Sequence, residues 1–226
     1  MRRQNFQLKY IFILSAFVSN GLSLQNSFAS TKQSISTKKN NIFKPKKKST
    51  EITVLPGDIS EKNEKELIGL IKGFQAIIKT PGQGKNRNTY IISQMASYLA
   101  LARIYRIKKD STEIDKKNEA LALERVVKFK DYFSKSKSAA KDEKAKALFY
   151  GGQALIYQND YNQAISSFQQ SIQLDPKSPY VGTMSLFIAE TWFDEEKYSE
   201  AIVQYNAHFK RMNEIEKALA IYKIAW

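Results

Sequence analysis

Asn159-Asp160-Tyr161-Asn162-Gln163-Ala164-Ile165-Ser166-Ser167-Phe168 and, further on, Glu195-Glu196-Lys197-Tyr198-Ser199-Glu200-Ala201-Ile202-Val203-Gln204-Tyr205 are two versions of one pattern. Tyr161 returns as Tyr198, Ala164 as Ala201, Ile165 as Ile202 and Phe168 as Tyr205, all at one offset. Self-similarity at such a period marks an array of stacked helical hairpins, each of which buries its apolar side against its neighbours. Arrays of this kind bind other molecules far more often than they catalyse.

The first copy is similar to the tetratricopeptide repeat, whose pattern runs aromatic, Leu-Gly, Tyr, then Ala, Phe and Pro over 34 residues. With Ala145 in the first position, Gly152 falls on the Gly, Ala164 on the Ala, Phe168 on the Phe and Pro176 on the Pro. Leu148 stands for the Trp, Gly151 for the Leu and Leu155 for the Tyr. The second copy starts at Gly182 and keeps Ala189 and Ala201, with Tyr205 for the Phe and Asn213 for the Pro. Small residues at these positions let two helices approach closely, and the large ring of Phe168 or Tyr205 fills the space beside the contact. Asp175-Pro176 stops the second helix, because the residue before proline is pushed out of the α region.

Ala218 to Trp226 resembles the first helix of a further repeat, with Tyr222 in the place of Phe149 and Ala225 in that of Gly152. A repeat helix without its mate exposes a stripe, so either a truncated product or an end that packs on something else is expected; part of Leu219, Tyr222, Ile224 and Trp226 is then expected to face water and to give self-association or a frayed end. Upstream, Asn88 to Lys108 places Met95, Tyr98, Leu99, Ala102 and Tyr105 at three- and four-residue spacing, an amphipathic helix. Asp115 to Phe133, with Ala120, Leu123, Val126, Val127 and Phe133, is its hairpin mate across the polar turn Lys108 to Thr112. Glu61 to Lys79 adds one more helix, closed by Thr80-Pro81-Gly82-Gln83-Gly84. The expected fold is therefore all-α, a superhelix of stacked hairpins, with a degenerate hairpin region over 59–141 and repeats of the tetratricopeptide kind over 142–226, the last incomplete.

The amino end reads as targeting. Arg2, Arg3 and Lys9 precede an apolar run, Tyr10 to Val18, too short to span a bilayer, and Ser27-Phe28-Ala29 offers small residues where a signal peptidase cuts. Residues 1–29 are thus a secretory signal, and the expected compartment is the periplasm or envelope of a Gram-negative cell. No Cys follows the apolar run, which excludes a lipid-anchored lipoprotein, and the whole chain lacks Cys and disulfides. Residues 30–58 are rich in Ser, Thr, Lys and Asn and are expected to be a disordered linker. Residues 1–50 hold ten Lys and Arg and no acid, against 26 basic and 22 acidic residues in the remainder, so most of the net charge of +14 belongs to a tail. Lys44, Lys46, Lys47 and Lys48 suit an anionic lipid surface or an anionic cell-wall polymer. Export argues against nucleic acid as the partner of that run.

Chemistry-bearing constellations are scarce. With one His and no Cys, only His208 could serve a nucleophilic triad, and it falls on the second helix of a repeat, where a packed or surface role is the simpler one. The usual His and Cys metal sites are excluded on the same ground, and no cofactor is implied. Ser134 to Lys137 and Ser138 to Lys141 spell Ser-x-x-Lys in a segment rich in both residues, without its companion motifs. Gly82-Gln83-Gly84-Lys85 lacks the spacing of a phosphate loop. Glu190, Asp194, Glu195 and Glu196 raise carboxylate catalysis on glycan strands, but a solvent-facing helix end accounts for them.

In the family that the repeats resemble, ligands lie on the concave face made by the first helices. Carried over, this implies a groove for a protein or peptide formed by Lys146, Phe149, Gln153, Ile156 and Tyr157, then Leu186, Glu190, Phe193 and Asp194, then Tyr222 and Trp226. The resulting expectation is a non-catalytic scaffold for protein–protein interaction in the cell envelope. The alternative is the helical accessory region of a cell-wall lytic enzyme whose catalytic part lies beyond residue 226.

Overall fold

A computed structural model describes residues 59, 62–82 and 86–225. Residues from Lys62 onward form one compact unit, and among the described ones it contains eight α-helices and no strand. In chain order these are α1 (Glu64–Lys79), α2 (Arg87–Ile107), α3 (Glu113–Lys135), α4 (Lys141–Tyr157), α5 (Tyr161–Leu174), α6 (Val181–Asp194), α7 (Tyr198–Ala207) and α8 (Glu214–Ala225). A single 3-10 turn, Phe209–Arg211, separates the last two. Among the described residues no helix is long and apolar enough to cross a membrane. The segment read as a secretory signal, the basic run Lys44 to Lys48 and Trp226 lie outside the described residues.

Local sequence dictates the helix ends. Asn63 and Glu66 form a reciprocal cap at α1, as Thr112 and Asp115 do at α3. The Glu143 carboxylate accepts from the Ala140 N–H and lets α4 begin at Lys141, ahead of the repeat's first position at Ala145. Asp160 caps α5 through the Gln163 N–H, and Asn213 with Glu216 caps α8. At the carboxyl end of α5 the backbone leaves the helix at Asp175, directly before Pro176. The two hairpin turns of the repeats are built alike: Asn159 and Glu196 both take a left-handed backbone (φ 64° in each). In each turn the next residue's N–H reaches back, from Asp160 to the Leu155 carbonyl and from Lys197 to that of Trp192, both at 2.9 Å.

Each helix packs on the next, and α4 also packs on α2 and α8 on α6, as in a stack of antiparallel hairpins. The small residues stand at the tightest contacts. A Cβ added to Gly152 would lie 2.5 Å from the Phe168 ring, so the missing side chain of α4 is what admits the ring of α5. That ring is fully buried, stacked on Phe187 of α6 at 5.5 Å and beside Phe149 of α4 at 6.5 Å. One aromatic thus joins the α4–α5 hairpin to the following one. Leu186, Ala189, Ala201, Tyr205, Met212 and Ala220 form the core of the next joint. Arg211 braces it by donating to the carbonyls of Pro176, Lys177 and Ser178.

Two sequence expectations shift. Ala120 is exposed, and Ala122 takes the buried place beside Leu123 and Val126 on α3. His208 is not within the second repeat helix but caps its end, half-buried, with its pKa lowered by that burial and by the Arg211 charge. On α8 Glu216 and Ala220 are buried, Leu219 and Ile224 pack on the core, and Tyr222 is 62 % exposed.

Candidate functional site

The residues expected to line one groove have different surroundings. Lys146 is exposed and pairs at 3.6 Å with Asp142 one turn away. Gln153 is half-buried and Asp194 is exposed at the end of α6. Phe149, Tyr157 and Glu190 are all buried against other helices of the chain. Neighbouring helices thus cover Phe149, Tyr157 and Glu190 and leave Lys146, Asp194 and Tyr222 exposed. A first helix inside an array is covered on both flanks, and the position within a repeat does not say which side chains the neighbours cover.

Each buried member has a distinct cover. Phe149 stacks on Tyr180, which precedes α6, at 4.3 Å and 12°. The Arg106 guanidinium of α2 lies 4.7 Å from the centre of the Tyr157 ring, donates at 2.7 Å to the Tyr157 carbonyl, and is itself held by Glu119 of α3. Burial raises the pKa of the Tyr157 hydroxyl.

Glu190 is the hub of a three-helix cluster. Its Oε1 accepts from the Tyr205 hydroxyl of α7, and its Oε2 stands 3.6 Å from the Lys223 ammonium of α8. Lys223 also lies over the Phe193 ring at 4.0 Å. Burial, and then the Glu190 charge, raise the pKa of the Tyr205 hydroxyl, which keeps it a donor throughout the physiological range. A second polar contact, Thr183 to Glu216 at 2.6 Å, holds the other end of α8 to α6. The carboxylate read as a groove residue thus fastens α8 to the body.

A surface lined by cations and aromatic rings lies elsewhere. α1 and α3 both pack on α2, and between them runs a groove of about 400 Å³. Its apolar lining comes from Ile78 of α1, Ile91 and Tyr98 of α2, and Phe129 and Tyr132 of α3. Tyr98 and Phe129 stand 6.5 Å apart, and Gln75 fixes Tyr98 by donating to its hydroxyl at 3.0 Å. Lys79, Arg87, Arg125 and Lys128 ring the groove, and no acidic residue lines it. Lys128 is paired with Glu124, whereas Lys79, Arg87 and Arg125 make no ion pair among the described residues. Gln94, only 2 % exposed, also lines the groove; its Nε2 donates to the Ile71 carbonyl at 3.3 Å.

Sequence reading passed over these residues although a signal was present. Arg125, Lys128, Phe129 and Tyr132 follow i, i+3, i+4, i+7 spacing and form a second stripe on α3 beside the buried one of Leu123, Val126 and Phe133. What the spacing does not carry is that α1 supplies the facing wall.

Comparison with known proteins agrees with the geometry of α4 and α5. The family model of the tetratricopeptide repeat matches residues 145–178, which run from the first turns of α4 to the loop ahead of α6. No curated protein and no solved structure gives a match to the chain.

Proposed function

We propose, for a chain that carries a tetratricopeptide repeat at residues 145–178, a scaffold that binds a protein partner in the cell envelope after export. Domains of this family generally bind proteins through the extended surfaces that stacked hairpins create. The observation that carries the reading is the repeat itself, embedded in a body of eight helices whose surface keeps both apolar and cationic groups unsatisfied. The envelope location rests on the sequence of the amino end: a basic start, an apolar run and Ser27-Phe28-Ala29. The basic run Lys44 to Lys48 would then hold the mature chain near an anionic surface without selecting the partner.

Fractionation of cells that produce the full chain, followed by mass spectrometry, tests the reading. A mature protein that begins at or near Ser30 in the periplasmic fraction is expected, together with a partner retained when Lys46, Lys47 and Lys48 are changed to Gln. An intact Met1 start in the cytosol refutes export. Loss of the partner with the lysines alone makes the tail the recognition element and refutes the array as scaffold.

A further inference from the structure

Four cations surround the groove between α1 and α3, no acidic residue lines it, and three of the four form no salt bridge among the described residues. Arg87 occupies the first turn of α2, where the helix already presents positive potential; the turn has no acid of its own, and the Glu143 carboxylate of α4 reaches it only at Asn88, at 2.8 Å. A cation there does nothing for the helix. Arg125 is exposed beside Glu124, whose carboxylate pairs with Lys128 and feels the Arg125 charge only as a minor contribution. Below these charges lies an aromatic floor, with Tyr132 left 42 % exposed. The floor also holds one buried acceptor without a donor: with its Nε2 occupied, Gln94 has an Oε1 that no described group satisfies. A buried carbonyl of this kind favours a ligand that brings an N–H.

We propose that this groove takes an acidic segment of a partner protein, with an apolar side chain on Phe129 and Tyr132, carboxylates at Arg87 and Arg125, and a backbone or side-chain N–H at the Gln94 oxygen. The inference rests on the scaffold reading above and deepens it by giving the partner's chemistry. Charge complementarity selects an acidic ligand, since arginine binds carboxylates in a fork of two hydrogen bonds. The aromatic floor requires an apolar group beside those acids. The chain's own tail is the wrong occupant, because residues 1–50 contain ten Lys and Arg and no acid. The size of about 400 Å³ suits one large side chain and the backbone on either side of it.

Isothermal titration of the full chain with a synthetic peptide of about twelve residues, Glu and Asp around a central Trp, tests the proposal. Binding is expected to weaken at least ten-fold with Arg87→Glu and with Arg125→Glu, and to weaken with Tyr132→Ala. It should fall as salt rises, yet stay unchanged when Lys46, Lys47 and Lys48 become Gln. Arg87 and Arg125 are exposed, so circular dichroism should report folded variants; Arg125→Gln serves as a milder second change. Binding that survives the double reversal, or that follows the tail lysines, overturns the proposal. So does retention of phosphatidylglycerol vesicles that depends on Arg87 and Arg125 when the peptide does not bind, which would assign the groove to a membrane surface. Absence of peptide binding in a chain that still cross-links to a protein through other surfaces overturns the groove while the scaffold reading stands.

Discussion

Gly152→Ala and Gly73→Ala are the same chemical change in the middle of two helices, and the structure gives them opposite signs. In α1 a Cβ at Gly73 meets nothing within 4 Å, so the substitution removes backbone freedom from the unfolded chain and is expected to stabilise by about 0.5–1 kcal/mol. In α4 the same atom at Gly152 would lie 2.5 Å from Cε1 and 2.8 Å from Cδ1 of Phe168. The ring cannot swing away, since it is fully buried between Phe149 and Phe187. Either α4 and α5 part or the stack onto α6 breaks. Overpacking of this kind costs about 1–3 kcal/mol, which outweighs the gain in helix propensity and leaves a net loss of about 0.5–2 kcal/mol. For a body of this size, melting followed by circular dichroism should fall by roughly 1–8 °C for Gly152→Ala and rise by roughly 1–4 °C for Gly73→Ala. Adding Phe168→Leu to Gly152→Ala should return part of the loss, as expected of two residues in contact. A Gly152→Ala chain as stable as the Gly73→Ala one would refute the close approach of α4 and α5 on which the array depends.

Glu190→Gln leaves Lys223 without its partner between α6 and α8; a full 3–5 kcal/mol for a broken buried pair is reduced by the exposure that Lys223 retains, so about 1–3 kcal/mol is expected, and Lys223→Met in the same chain should recover part of it in a thermal double-mutant cycle. Gly182→Ala places a Cβ 2.4 Å from the Arg211 carbonyl oxygen, which no rotamer can relieve, so hydrogen exchange should accelerate across Phe209 to Ala225 while α1 to α3 keep their protection. Asp115 is held at a pKa of about 2, below the ordinary 3.8, by the Lys108 ammonium first and then by the Thr112 backbone and hydroxyl. Its folded pKa is the lower one, so its contribution is complete above the unfolded value and is lost as pH falls through about 2; a carboxyl NMR titration should give that midpoint in the wild type and a higher one in Lys108→Met.

Much of the fold was readable because the relevant physics is local. Tyr161, Ala164, Phe168 and Pro176 give a repeat, and each has its structural counterpart in a turn, a close contact, a filled joint or a stopped helix. The equal backbone of Asn159 and Glu196 is the same regularity seen in three dimensions. The start of α4 was less legible, since its cap is made by Glu143 and Ala140 rather than by a residue type the repeat pattern contains. The site was harder still. Position within a repeat places Phe149, Tyr157 and Glu190 on first helices, but their covers come from Tyr180, Arg106 and Lys223, which are distant in sequence or belong to no part of the pattern. The groove between α1 and α3 needs the converse knowledge, that two helices flank a third without closing over it. No periodicity within one helix contains that.

The central claim is that the stacked hairpins work by holding a protein on their surface. Photocross-linking from three exposed positions, Tyr132, Lys146 and Tyr222, each replaced by a benzophenone amino acid in the full chain inside its own cells, tests it most directly. The account predicts a discrete protein adduct from at least one position, with the adduct from Tyr132 mapped by mass spectrometry to an acidic segment. Uniform absence of protein adducts from all three positions, in chains shown to be folded, would contradict it.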